Sequence, residues 1–158
     1  MRLGAADAIL SRGRARDRAI VEAGGAVTYG ELRQRVRELA RVMVDAGLAP
    51  GDRIALCGEN SAQTIAAYFA VMAAGGVVVP VAPGLAEARL ARLLERGRCR
   101  FAITSEASEG AIRAAGAANL ESVWIGPALS RARISRGARP SWPSEVKAEE
   151  LAAIMWTS

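Results

Sequence analysis

Arg53-Ile54-Ala55-Leu56-Cys57 and Val77-Val78-Val79-Pro80-Val81 are the stretches whose reading decides the fold. Each is a short apolar run, and the second has no polar face, as strands of a parallel sheet covered on both sides tend to have. Between them lies a helical segment, capped by Asn60 or Ser61 with Gln63 completing a box on Asn60, and running to about Ala74. No charged residue occurs from Asn60 to Ala86, and Ile65–Ala82 approaches the length of a membrane-spanning helix. The run is heterogeneous, however. Ile65–Ala74 is rich in alanine, Gly75-Gly76 break it, and Val77–Val81 is β-branched. A buried helix feeding a buried strand explains all three parts, so no transmembrane segment is expected.

Working outward, the pattern repeats. Arg18–Glu22 and Ala26–Tyr29 read as a short hairpin around Gly24-Gly25. Thr28-Tyr29-Gly30-Glu31 fits a capping box, and Leu32, Val36, Leu39 and Met43 recur at helical spacing until Gly47. On the other side, Pro83-Gly84 turns into a helix carrying Leu85, Leu90, Leu93 and Leu94, closed by Gly97. Arg100–Thr104 and Ser122–Ile125 read as strands flanking a weaker helix over Glu106–Ala115. Gly126–Glu145 reads as a loop and Ala152–Ser158 as a last strand. Strand and helix in alternation with short links predict an α/β fold, a mostly parallel sheet with helices on its faces. That fold names no function.

Composition removes several classes. With 158 residues the chain is one domain or a piece of a larger one, and 51% hydrophobic against 23% charged residues is globular. Histidine is absent, which excludes Ser-His-Asp and Cys-His catalysis and every histidine metal site. Two cysteines make neither a zinc site nor a disulfide framework; Cys57 and Cys99 read as unpaired, buried thiols in a reducing, cytoplasmic setting. The net charge is +5, yet Lys147 is the only lysine beside 20 arginines and 34 alanines are present, so the basic balance reflects GC-rich coding more than an acidic partner. Arg12, Arg14, Arg16 and Arg18 form one basic cluster and Arg131, Arg133, Arg136 and Arg139 another. No aromatic interleaves with either, so both read as solvated loops and no nucleic acid is expected. Asp7 and Asp17 count against a transit peptide.

Three stretches carry more than the fold. They are Thr28-Tyr29-Gly30-Glu31-Leu32; Gly47-Leu48-Ala49-Pro50-Gly51-Asp52-Arg53-Ile54-Ala55-Leu56 followed by Glu59-Asn60-Ser61; and Ala74-Gly75-Gly76-Val77-Val78-Val79-Pro80-Val81-Ala82-Pro83. In this order and at these distances they resemble the N-terminal region of the adenylate-forming (AMP-binding) superfamily: acyl-CoA synthetases, luciferases and peptide-synthetase adenylation domains. The resemblance runs from about Ala6 to the C-terminus, with Ala107–Lys147 its least distinctive part. Ile154-Met155-Trp156-Thr157-Ser158 resembles the strand leading into the family's phosphate loop, Thr-Ser-Gly-Thr-Thr-Gly-x-Pro-Lys-Gly, of which this sequence holds only Thr157-Ser158. Ala82 stands where many members have Asn or Asp.

The resemblance implies the N-terminal subdomain of the adenylate-forming fold, with residues 1–158 a partial AMP-binding domain whose C-terminal part is absent. It implies Mg-ATP-dependent activation of a carboxylic acid to an acyl-adenylate, then thioester formation with coenzyme A. An acyl-CoA synthetase type of ligase is favoured over a peptide-synthetase adenylation domain, because Ala73–Pro83 lacks the Lys-Ala-Gly-x-x-Tyr-x-Pro character of the latter. Thr157 and Ser158 are the implied ATP-binding residues. No catalytic and no metal-ligating residue is assigned, and Lys147 does not match the family's catalytic lysine. The 158-residue chain alone is therefore expected to be inactive, and ATP, Mg2+ and coenzyme A to belong to the full-length member. Two readings of another class stay open. One is a non-catalytic scaffold or interaction module that self-associates through an uncovered strand or sheet face. The other is one half of a split enzyme, completed by a separate C-terminal chain.

Overall fold

The computed structural model describes residues 4–116, 120–125 and 153–155. Its elements run α1 (Ala5–Leu10), β1 (Arg18–Glu22), β2 (Gly25–Thr28), α2 (Tyr29–Asp45), β3 (Arg53–Cys57), α3 (Ala62–Ala73), β4 (Val77–Val81), α4 (Glu87–Arg96), β5 (Phe101–Thr104), a 3-10 turn (Glu106–Ser108), α5 (Glu109–Gly116) and β6 (Ser122–Ile125). The α/β expectation is met. β3, β4, β5 and β6 form a wholly parallel sheet in the order β4-β3-β5-β6, while β1 and β2 pair as a separate antiparallel hairpin.

The two-residue period of the strands divides the core. Ile54, Leu56, Val78, Phe101 and Ile103 face α1, α2 and α3, joining Leu32, Val36, Leu39, Met43 and Val71 in one buried cluster. Ala55, Cys57, Val79, Val81 and Ala102 face the other way and pack with Leu90, Leu94 and Ile112 of α4 and α5. Large side chains of β3 and β5 thus meet the long helices, and alanines meet the short ones. The uncharged stretch is α3 plus β4, and among the described residues no helix is long and apolar enough to cross a membrane.

Local signals explain most boundaries. The Thr28 hydroxyl accepts from the Glu31 amide at 3.3 Å and the Glu31 carboxylate accepts from the Thr28 amide at 2.9 Å, a complete capping box. The bonds that the Thr28 amide and hydroxyl donate to it hold the Glu31 carboxyl below its ordinary pKa. Helix α2 ends in a Schellman motif: Leu48 N–H bonds Met43 C=O, Gly47 N–H bonds Val44 C=O, and Gly47 takes φ +95°. The same motif closes α3 through Gly75 (φ +79°) and Gly76.

Three expectations need correction, and one element was unforeseen. Helix α3 is capped by Ser61, whose hydroxyl accepts from the Thr64 amide at 3.1 Å; the box on Asn60 with Gln63 does not form. Helix α4 also ends in a Schellman motif, but the left-handed position is Arg98 (φ 49°), one residue after Gly97, which stays right-handed at φ −68°. Gly97 is needed for closeness instead: a Cβ there would lie 2.9 Å from the Leu93 carbonyl oxygen. The helix expected over Glu106–Ala115 splits into the 3-10 turn and α5. Finally, α1 went unforeseen. One turn and a half with only Ala6 and Leu10 buried is too short for periodicity to reveal.

Of the last strand expected over Ala152–Ser158 only residues 153–155 are described, and they hold an isolated bridge rather than a strand. Ala153 makes one parallel bridge with Val78, and Ile154 N–H bonds Val78 C=O at 2.8 Å. Gly126–Glu145 and the arginine cluster at Arg131–Arg139 lie outside the described residues.

Candidate functional site

The sheet order places a switch point between β3 and β5. From β3 the chain passes through α3 to β4, then returns through α4 on the opposite face to β5 beyond β3. In open α/β sheets ligands bind outside the carboxyl ends of the strands at such a point. A crevice of ≈ 400 Å³ lies there, floored by Leu56, Cys57, Ile103 and Thr104 and flanked by the loops that leave the two strands. A second, more apolar groove of ≈ 630 Å³ adjoins it across Leu56, Gly58 and Thr64, between Ile65, Tyr68 and Phe69 of α3 and the segment from Pro80 to Pro83.

Both loops are built alike: a buried strand end, a small residue, then a glutamate. After β3 come Gly58 and Glu59; after Thr104 come Ser105 and Glu106. Gly58 is close to α3, since a Cβ would lie 2.9 Å from Thr64 Oγ1. Ser61 Oγ and Thr64 Oγ1 sit 3.1 Å apart on the same wall. The Ser105 amide bonds the Cys57 carbonyl at 3.2 Å, tying the two strand ends together. Ser105 Oγ is sealed from solvent and has no hydrogen-bond partner among the described residues. Burial pushes the Cys57 thiol above its ordinary pKa; a hydrogen bond from Ser108 opposes this and the Glu59 charge adds to it. Cys57 and Cys99 are both free and buried, as expected, and the Cys99 thiol is pushed up to about 11 by burial.

The stretches that carry the family resemblance mostly do structural work. Thr28 and Glu31 cap α2. At the opposite end of the strands, Asp52 Oδ2 accepts from the Ala49 amide at 2.8 Å and pairs with Arg100 Nη1 at 2.7 Å. Arg100 Nε also pairs with Glu121 Oε1 at 2.6 Å, so one guanidinium ties the entries to β3, β5 and β6. Thr157 and Ser158, the expected ATP-binding residues, lie outside the described residues, as does Lys147. The crevice itself was missed by sequence reading, although the repeated strand-end, small-residue, glutamate pattern was available as a signal. Among the described residues its lining offers no arginine or lysine, so these residues do not form a triphosphate cradle. Among the described residues no cluster of three His, Cys, Asp or Glu is placed to hold a metal ion.

A crevice at the switch point of an open parallel sheet is where α/β proteins commonly bind ligands, without naming the ligand. The family model for AMP-binding enzymes matches residues 10–158, and the chain belongs to that family. Gramicidin S synthase 2 of Brevibacillus brevis is 36% identical over 86 residues, covering 54% of this chain and 2% of that protein. Malpinin synthetase of Mortierella alpina is 33% identical over 94 residues, covering 60% of this chain and 1% of that protein. A benzoate CoA ligase from Burkholderia xenovorans LB400 superposes with a TM-score of 0.81 at 23% identity, over 96% of this chain and 32% of that one. VinN superposes at 0.79 and 25% identity, over 100% of this chain and 41% of that one. The chain thus spans a small part of its curated relatives and about a third of the benzoate ligase.

Proposed function

We propose that these 158 residues form part of an AMP-binding domain in an enzyme that activates a carboxylic acid with ATP. The supporting observation is the family match over residues 10–158, on a fold that superposes on a benzoate CoA ligase. In this reading the acid's carboxylate attacks the α-phosphorus of ATP, releasing pyrophosphate and leaving an acyl-adenylate. A thiol then displaces AMP. In this reading Thr157 and Ser158 supply hydroxyl donors to the triphosphate. Coenzyme A as the thiol is the reading taken from the sequence. The alternative, a peptide-synthetase adenylation domain, draws support from Gramicidin S synthase 2 and Malpinin synthetase, 36% and 33% identical over 54% and 60% of this chain. Unpaired Cys57 and Cys99 fit a cytoplasmic location.

Electrostatic stabilisation of the transferring group supplies much of such an enzyme's rate, and losing one donor typically costs about 10²–10³. The described residues lack that set, so the chain alone is expected to release no pyrophosphate above a Thr157→Ala/Ser158→Ala control. The test is pyrophosphate release with Mg-ATP and a panel of aliphatic, aromatic and amino acids, on the chain and on a polypeptide continued in frame past Ser158. Activity only in the longer polypeptide supports the reading. Turnover by the chain itself refutes the expected inactivity, and silence of the longer polypeptide on every acid refutes adenylation. Adding coenzyme A or a carrier-protein thiol to an active preparation separates the two acceptors.

A further inference from the structure

We propose that the arginine loop between α1 and β1, with Ile9 and Val21 on either side of it, is a docking surface for the anionic face of a lipid bilayer. Sequence alone reads this loop as solvated; the structure shows that it is held in place. Arg12, Arg14, Arg16 and Arg18 alternate with Gly13, Ala15 and Asp17, and the two sets do different work. The intervening residues fasten the loop to the start of α2. The Gly30 amide bonds the Ala15 carbonyl at 3.0 Å, and the Tyr29 amide bonds the Asp17 carbonyl at 2.9 Å. Gly13 lies against the Tyr29 ring, which a Cβ there would run into. Arg33 Nη1 donates to the Leu10 carbonyl at 2.8 Å and to the Gly13 carbonyl at 3.0 Å, and Asp17 Oδ2 accepts from the Arg14 amide at 2.9 Å. The four alternating arginines are left exposed, with no ion pair or hydrogen bond from their side chains among the described residues. Four like charges within seven residues repel one another, and a fastened loop cannot spread them apart. A surface of phosphate groups answers that repulsion, since each guanidinium presents a fork of donors to phosphate oxygens.

The choice among anions rests on what surrounds the charges. Among the described residues the large apolar side chains that stand exposed are Ile9, Val21, Ile65 and Met155, and two of these four bracket the loop. Ile9 is 47% exposed on the last turn of α1, and Val21 is 71% exposed on β1. In the hairpin Ala19 and Ile20 pack on the core and Val27 is buried, so Val21 and its cross-strand partner Ala26 turn outward. Arginines beside exposed isoleucine and valine suit a bilayer interface, where the charges meet headgroups and the alkyl groups enter the boundary beneath them. A single-stranded nucleic acid would call for aromatic rings to stack on its bases, and none occurs from Ile9 to Val21. The acids of this segment do not cancel its charge: residues 4–21 hold Asp7 and Asp17 against the four arginines.

This inference does not rest on adenylation, and its test contains no ATP. Flotation of the chain is measured with vesicles of phosphatidylcholine alone and of phosphatidylcholine mixed with phosphatidylglycerol. Binding is expected to the mixed vesicles only. It should weaken as salt rises from about 0.1 M toward about 1 M, where the screening length falls from about 10 Å to about 3 Å. Arg14→Gln/Arg16→Gln should weaken it about 25-fold, at about fivefold for each charge near the surface. Arg89→Gln/Arg92→Gln, at exposed positions of α4, removes the same net charge and should weaken it less than about threefold. Ile9→Ser keeps every charge and should weaken it about fivefold, the share expected of a half-exposed isoleucine. Equal binding to neutral vesicles, no binding to mixed vesicles, an equal loss in the α4 variant, an Ile9→Ser variant that binds as the parent does, or tighter binding to DNA or polyglutamate than to mixed vesicles would each overturn the proposal.

Discussion

Gly76 separates two reasons for the Gly75-Gly76 pair. Gly75 has φ +79°, so a side chain there is strained by the backbone, although a Cβ would meet Pro50 at an ordinary 3.5 Å. Gly76 carries no such backbone demand; a Cβ there would lie 2.8 Å from Ile54 Cδ1, 3.0 Å from Val71 Cγ1 and 3.2 Å from the Val71 carbonyl oxygen. Gly76→Ala is therefore an overpacking substitution, worth about 1–3 kcal/mol of destabilisation. Ile54 is fully buried, and Ile54→Val removes the atom nearest the new methyl at a cost of about 0.5–1.5 kcal/mol by itself. Additive effects would put the double variant about 1.5–4.5 kcal/mol below the parent. Relief of the Cδ1 contact should recover about 1 kcal/mol of that sum, a coupling typical of residues in contact. The Val71 contacts remain, so rescue is partial. Urea unfolding followed by tryptophan fluorescence provides the four stabilities, with an unchanged m-value required for comparison. Trp124, stacked on Phe101 with centroids 4.9 Å apart, is one reporter. Additivity within about 0.3 kcal/mol would refute close packing on Ile54 as the reason for glycine at position 76.

Arg98 holds a left-handed conformation that costs a non-glycine residue roughly 1–2 kcal/mol, and its side chain is exposed. Allowing for glycine's greater unfolded-state entropy, Arg98→Gly should stabilise by about 0.5–1 kcal/mol, read as a rise of about 1–4 °C in Tm; a fall in Tm would contradict the C-cap assignment. Cys99 gives an alkaline signature. Its folded thiol is raised from 9.0 to about 11, so above the unfolded value the unfolded state releases the proton first, and stability declines as pH rises toward the folded value. The loss is on the order of 2–3 kcal/mol, and urea midpoints between about pH 8 and 11 should show a shallower decline in Cys99→Ala than in the parent. Parallel declines would mean that Cys99 does not titrate this way.

Elements with dense local signals were legible in the sequence. β3, β4 and β6 have the bounds the residues suggested, because short apolar runs between turn residues leave little choice. The Thr28–Glu31 box was legible because its spacing alone makes both hydrogen bonds possible. Choices between neighbouring residues were not. Asn60 and Ser61 are both good caps, and the geometry of the β3–α3 loop gave the position to Ser61. At the end of α4 glycine sits one position early, because the approach of the Leu93 carbonyl and Cys99 Sγ competes with handedness for the same small residue. The crevice was missed for a different reason: the repeated small-residue and glutamate pattern marks the two loops but does not join them. It is made by the order β4-β3-β5-β6, which joins two loops distant in sequence, and alternation of elements does not state strand order.

Strand order also explains why the family stretches identify a lineage without locating chemistry. Asp52 with Arg100, Gly51 with Gly75, and the Gly75-Gly76 helix end all lie where β3, β4 and β5 begin, and there they set register. The Gly51 amide bonds the Gly75 carbonyl at 2.8 Å and the Val77 amide bonds the Asp52 carbonyl at 2.8 Å, locking β3 beside β4 from the first residue. Function is read at the other ends of the same strands. Pro80 marks the passage from one role to the other. In the parallel ladder Val77, Val79 and Val81 direct their backbone groups to β3, as the Val77–Asp52 bond shows, so Val78 and Pro80 face the outer edge. Val78 accepts from Ile154 there, but Pro80 has no N–H to give. A strand laid on that edge is held at its start and loses one bond two residues on. The outer edge is thereby weakened toward the end of the sheet that carries the crevice, so a chain running along it can leave the ladder where a binding loop is needed.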